Sequence, residues 1–190
     1  MEIHVRRIRP DEGPLLRGLR LRSLSDAPRA FGQSREDAVA RPDAEWSAEA
    51  RAATDGDRRA WFIAQATRSD AEPAEPAEPA EPVGLVLARR RRPDVALVFS
   101  MWVDPRVRRG GVGRELIATV EAWATSWGAQ SIVLWVVADN EPAVRFYQRL
   151  GFTVAESGTD ADSGRAYGAL AMSRGIGVSE LTPAEVPDPP

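Results

Sequence analysis

Residues 103–116 read V-D-P-R-V-R-R-G-G-V-G-R-E-L. An apolar run, Val95 to Val103, leads into this stretch. Beyond it Leu116, Ile117, Val120, Trp123, Ala124 and Trp127 recur at steps of one, three and four, which is one face of a helix. The junction is therefore strand, glycine-rich turn, helix. The first N–H groups of a helix lack intrahelical partners and carry the positive end of its dipole, so such a turn is suited to phosphate. Gly110, Gly111 and Gly113 let an anion approach the main chain without a Cβ in the way. Arg108, Arg109 and Arg114 add charge that can pair with phosphate oxygens.

Several phosphate-binding classes fall away. The stretch lacks G-x-x-x-x-G-K-[ST], and the chain contains no lysine, so a Walker-type nucleotide site is excluded. No G-x-G-x-x-G with a suitably placed acidic residue follows, which argues against a dinucleotide fold. What remains is R-x-x-G-x-G, carried by Arg108, Gly111 and Gly113.

Composition narrows the chemistry. The chain of 190 residues has room for one domain with a sizeable core. It has no cysteine and a single histidine, His4, so a thiolate nucleophile, a histidine-based zinc site and a Ser-His-Asp triad are not expected. Neither a signal peptide nor a membrane-length apolar run is visible, and a cytoplasmic protein without membrane contact is expected. The net charge of −3 is uneven. Acids gather in residues 69–82 and 175–190, which leaves a mildly basic body. That suits a small anionic ligand and is too weak a pattern for nucleic acid.

In chain order, Ile3, Val5 and Ile8 suggest a strand ending at Pro10. Asp11 then reads as the N-cap of a helix carrying Leu15, Leu16, Leu19 and Leu24. A loop through Pro28, Phe31 and Gly32 precedes a short helix over Pro42 to Ala53. Trp61 to Ala66 and Val83 to Arg89 read as strands. Between them Ala-Glu-Pro repeats from Ala71 to Pro82, and proline at every third position predicts an extended, solvated loop. It should leave the sheet at the end of the phosphate turn, two strands away. Arg89 to Arg92, with Pro93, read as a solvated turn at the opposite end. After the central helix, Gly128 suits a C-terminal cap. Ile132 to Val137 predicts a strand covered on both faces, joined to Val95–Val103 as a parallel pair. Asn140-Glu141-Pro142 starts a helix that runs to Leu150 and stops at Gly151. Phe152–Ala155 and Tyr167–Met172 read as a hairpin around a polar loop, Ser157 to Gly164. The expected organisation is one domain over residues 1–174, with 69–82 as an acidic inserted loop and 175–190 as a disordered tail.

Residues 140–152, N-E-P-A-V-R-F-Y-Q-R-L-G-F, hold a second pattern, N-x-x-A-x-x-x-Y-x-x-x-G-F. Asn140, Ala143 and Tyr147 are spaced to share a helix face. This pattern and the R-x-x-G-x-G turn, in this order and at this separation, resemble the two hallmarks of the GNAT superfamily of acyl-CoA-dependent N-acyltransferases. The resemblance runs from about Ile3 to Met172. It implies an α/β (α+β) fold: a mixed, mostly antiparallel sheet flanked by helices, in which a central parallel strand pair splays apart to admit pantetheine. It implies acetyl-CoA as cosubstrate and no metal.

The resemblance also implies a site. Main-chain groups of Met101, Trp102 and Val103 would pair with the pantetheine arm. Backbone amides of Arg108, Arg109, Gly110, Gly111, Val112, Gly113 and Arg114 would hold the pyrophosphate. Asn140 would contact the arm, Ala143 would leave room for the adenosine side, and Tyr147 matches the general acid. An amine would attack the thioester directly, with an oxyanion donor such as a main-chain N–H near Val103. The strand A-L-V-F-S-M-W-V lacks the glutamate that many relatives place there, so the base would be a water chain or a carboxylate such as Glu36 or Asp37. Phe31, Trp46, Trp102 and Trp135 are candidates to line the acceptor pocket or to pack the core. Acetylation of a small primary amine is the leading expectation. Acetylation of a protein N-terminus or lysine, and a catalytically silent CoA-binding module, are the alternatives. A monomer or homodimer is expected.

Overall fold

The computed structural model of the protein describes residues 1–67, 80–155 and 168–177. Among the described residues seven strands form one sheet: β1 (Glu2–Arg7), β2 (Arg59–Thr67), β3 (Glu81–Arg92), β4 (Val95–Val103), β5 (Ser131–Val137), β6 (Thr153–Val154) and β7 (Ala169–Gly175), in the order β1-β2-β3-β4-β5-β7-β6. All neighbours are antiparallel except β4 and β5, which run parallel. The helices are α1 (Gly13–Asp26), α2 (Arg35–Ala40), α3 (Asp43–Ala52), α4 (Val112–Ser126) and α5 (Glu141–Arg149). None of the described helices is long and apolar enough to cross a membrane.

The two faces of the sheet bury different sets of side chains, as a period of two requires. On one face α4 sets Leu116, Ile117, Val120 and Ala124 against Phe62, Val86, Val98 and Leu134. Tyr147 of α5 and Phe152 belong to this layer. On the other face α1 and α3 set Leu16, Leu19 and Trp46 against Trp61, Ile63, Leu87 and Trp102. Gly13 marks how closely α1 and α3 approach, since a Cβ there would stand 2.7 Å from the Ser47 Cα. A third, smaller group, Val95, Leu97 and Val133, continues this face towards β5 with Phe99 and Trp135 beside it.

Four local expectations need correction. The first helix starts at Gly13 rather than after an Asp11 cap. The Glu12 carboxylate accepts from Arg6 and from the Arg9 amide, which closes the turn one residue later. Residues 28–40 are not all loop: Pro28–Ala30 make a 3-10 turn, and Ser34 caps α2 by accepting from the Asp37 amide. Arg89 to Arg92 are the end of β3, where the run pairs with β4 and Arg89 also with Arg59 of β2, and the turn lies at Pro93–Asp94. Finally, the described base of the Ala-Glu-Pro insert is one strand away rather than two, since Glu81 begins β3, the neighbour of β4, and pairs with Arg106 just before the glycine-rich turn. Most of that insert, the Ser157–Gly164 loop, Tyr167 and residues 178–190 lie outside the described residues. Gly175 still belongs to β7, and Ile176 is buried.

Candidate functional site

Strands β4 and β5 are in register only from Val95–Val98 against Ser131–Leu134. Beyond Val98 they part. The cause lies in β4, where Leu85 and Leu87 of β3 pair with Trp102 and Phe99. Ser100 and Met101 are thus opposed by Val86 alone, and the surplus residue makes a bulge. Ser100 takes a left-handed φ of 53°, an uncommon conformation for a residue with a side chain and a place where backbone strain is stored. The bulge bends β4 away from β5 and leaves main-chain groups of the Ser100–Trp102 stretch without a strand partner on that side.

The opening so formed passes through the sheet. Val98, Leu134, Val136, Asn140, Ala143 and Tyr147 line it on the α4–α5 side. Phe31, Phe99 and Trp135 line it on the other. Phe99 and Trp135 stack at 5.8 Å between centroids and 17° between planes. The Trp135 indole N–H is buried and has no hydrogen-bond partner among the described residues.

Tyr147 is a buried residue of this lining. Its ring makes edge contacts with Phe146 at 5.1 Å and Phe152 at 5.7 Å, which fix the side chain. Burial pushes the phenol well above its ordinary value, because the phenolate would lose its hydration. The group therefore remains a proton donor throughout the neutral and mildly basic range. Asn140 is the N-cap of α5 and accepts from the Ala143 amide, so its side-chain N–H₂ remains available to a ligand.

The glycine-rich turn sits at the end of β4. Gly111 caps α4 with φ 89°, and Arg109 is also left-handed at 68°. Main-chain hydrogen bonds use the amides of Arg108, Gly110 and Arg114. Those of Arg109, Gly111, Val112 and Gly113 have no main-chain partner among the described residues. These four open amides at a helix start fit a pyrophosphate. Gly113 has a second reason to be glycine, since a Cβ would come within 2.9 Å of the Phe146 ring.

Arg108 does something other than bind phosphate through its guanidinium. Its Nε donates to the Val103 carbonyl at 3.0 Å, and its terminal nitrogen pairs with Asp26 at the end of α1. It thus ties the turn to β4 and α1, and the Val103 carbonyl is already engaged. Arg109 and Arg114 are exposed and have no ion-pair partner among the described residues. Sequence reasoning missed Asp104. This buried carboxylate caps the turn after β4 by accepting from the Arg106 amide, and pairs with the side chains of Arg106 and Arg22. The Arg106 side chain, helped by its amide and by Arg22, holds the Asp104 carboxyl well below the ordinary carboxylate range. An Asp-Pro pair directly after a strand was the available signal.

Of the aromatic candidates, Phe31 and Trp135 reach the opening, while Trp46 and Trp102 are core residues. Glu36 and Asp37 lie exposed on α2, where Asp37 accepts from the Ser34 hydroxyl, and neither lines the opening. No described carboxylate lines it. Among the described residues, no group of three His, Cys, Asp or Glu is positioned to hold a metal ion.

Comparison with known proteins gives this geometry a family. Residues 28–152 match the model of the acetyltransferase (GNAT) family. A mycothiol acetyltransferase from Actinosynnema mirum is 32% identical over 152 residues, covering 76% of this chain and 48% of that protein. One from Corynebacterium glutamicum is 35% identical over 75 residues, 40% of this chain and 26% of that protein. The chain thus spans half or less of the length of these relatives. A GNAT-family acetyltransferase structure from Streptococcus pneumoniae superposes with a TM-score of 0.68 at 19% identity, over 93% of this chain and all of that one, a likeness of fold. A cleft opened by a bulge between two parallel strands, bordered by open amides and by a buried tyrosine, accords with the matched model, and the chain belongs to the GNAT acetyltransferase family.

Proposed function

We propose that this chain transfers an acetyl group from acetyl-CoA to a primary amine on a small molecule. The observation that carries the reading is the pairing of open amides at Gly111–Gly113, beyond the end of β4, with a cleft along the unpaired edge of the same strand that Ser100, Met101, Asn140 and Tyr147 line. The pyrophosphate would lie on those amides, and the arm would run beside Ser100–Trp102 within reach of Asn140. Acetyl-CoA supplies an acyl carbon activated as a thioester. The amine nitrogen attacks that carbon from the side of Phe99 and Trp135, a C–N bond forms, and the C–S bond breaks. Tyr147 gives its proton to the departing sulfur, and the amine loses its own to water, since no described carboxylate lines the cleft. Ala30 and Phe31 line the cleft beside Phe99 and Trp135, and a narrow, aromatic-walled opening favours a small amine over a protein chain.

The test is thiol release from acetyl-CoA across polyamines, amino acids, aminoglycosides and short peptides, followed by Tyr147→Phe. The variant should lower kcat about tenfold or more with acetyl-CoA affinity unchanged. Unchanged turnover would remove Tyr147 from the reaction. Silence of the native protein across the panel, with acetyl-CoA still bound, would favour a CoA-binding module instead.

A further inference from the structure

A larger cavity lies at the opposite end of the sheet from the glycine-rich turn, next to the cleft. This cavity, about 890 Å³ in volume, shares Phe99 with the cleft and has Leu97 as its floor. Six arginines wall it, Arg58, Arg59 and Arg89 to Arg92, and no acidic residue is in its lining.

The register explains how the wall is built. Arg59 of β2 lies directly opposite Arg89 of β3, and Arg89 opposite Leu97 of β4, so all three project from one face. The next rung on that face is Trp61, Leu87 and Phe99. Like charges directly opposed across strands repel. Acids outside the lining offset part of the charge: Glu49 pairs with Arg59, Asp57 with Arg90 and Asp94 with Arg92. Arg58 and Arg89 are exposed and have no carboxylate partner among the described residues. A cation held opposite another cation, one rung from the Phe99 that also lines the cleft, is suited to an anion brought by a ligand.

We infer that this arginine-walled cavity is the acceptor's second anchoring point, and that the acceptor is a primary amine whose far end carries a carboxylate or phosphate. The inference rests on the acetyltransfer reading and adds a substrate class to it. From the bulge at Ser100 to Leu97 is three residues of strand, about 10 Å. Amine and anion are therefore at opposite ends of the molecule, with the apolar middle over Phe99 and Leu97. An α-amino acid, whose two charged groups are adjacent, is too short to gain from it.

The experiment compares four amines of matched length with acetyl-CoA: ε-aminocaproate, aminohexyl phosphate, hexylamine and hexanediamine. The two anionic amines should exceed hexylamine in kcat/KM by about tenfold or more, with the diamine poorest. Their ratio distinguishes carboxylate from phosphate. Arg89→Gln combined with Arg58→Gln, both at exposed positions, should erase the preference through KM while hexylamine turnover and Tm remain unchanged. Equal rates across the four amines, or a preference that survives the double variant, overturns the inference.

A binding measurement keeps the two readings separable. Butyl phosphate should bind the acetyl-CoA complex without displacing acetyl-CoA, weaken as salt rises, and fail to bind the double variant. Displacement by acetyl-CoA would locate that anion at the phosphate turn and sink the arginine subsite. If no amine is acetylated but butyl phosphate behaves as expected, the acetyltransfer reading fails and the anion subsite stands.

Discussion

At the residue scale the proposed role of Tyr147 as general acid carries an expectation for how the reaction depends on pH. A phenolate depends on hydration, and burial beside Phe146 and Phe152 removes it, so the pKa rises. A general acid of this kind does not lose its proton below about pH 10, the ordinary tyrosine value. The nucleophile, in contrast, must be neutral, and no described carboxylate of the cleft is there to take its proton. The kcat/KM profile should therefore rise with pH up to the pKa of the free amine, and show no descending limb from Tyr147 below about pH 10. Changing the acceptor for one of lower pKa should move the rising limb by the same amount. A rising limb that remains near pH 6 for every amine would instead reveal a base supplied by the protein.

The glycine-rich turn, the proposed pyrophosphate site, is the element whose backbone geometry matters most. Gly111 holds φ 89°, and a Cβ there would meet nothing within 4 Å, so the cost of a side chain is conformational rather than steric crowding. Gly111→Ala should lower stability by about 1–2 kcal/mol, the cost of an L-residue in the left-handed region. It should also raise the Kd of acetyl-CoA, because the turn relieves its strain by rotating the open amides. Urea unfolding and calorimetric titration measure the two effects separately. A stability loss with an unchanged Kd would mean that these amides do not hold the cofactor.

Over the whole molecule, Asp104 joins parts that are distant in the chain. It connects the end of β4 to Arg22 of α1, 82 residues away, and to Arg106, which also holds Glu81 at the start of β3. Hydrogen bonds to a buried ion are each worth about 1.5–3 kcal/mol. Asp104→Asn should therefore destabilise the protein by about 1–3 kcal/mol at neutral pH, the surviving amide offsetting part of the loss. The folded-state pKa is depressed, so the stability that Asp104 contributes is fully present above the ordinary carboxylate range and is lost as pH falls below about 4. Urea midpoints of variant and native protein should accordingly converge on acidification. A gap that stays constant down to pH 3 would mean that the ion pairs contribute little.

The sequence alone determined the features that depend on near neighbours. The glycine-rich turn, the apolar face of α4, the Asn140 cap and the face shared by Asn140, Ala143 and Tyr147 follow from residues within about four positions of one another, where the helix repeat dictates geometry. The parallel pairing of β4 with β5 was legible for a similar reason, since a strand, one helix and a second strand have few ways to close. Tertiary structure decided the rest. A bulge at Ser100 exists only relative to the strand it fails to match, so nothing within A-L-V-F-S-M-W-V could mark it. The role of Arg108 as a tie to Asp26, and of Asp104 as a hub for Arg22, depends on which segments are brought side by side. Arg89 to Arg92 read as a solvated turn because a run of like charges looks solvated in one dimension. With Arg89 paired to Arg59 of β2 and the run paired along β4, these residues lie on a strand and line a cavity, although Arg90 also stacks on Trp127. Charge is written in the sequence, but the direction it faces is set by strand register.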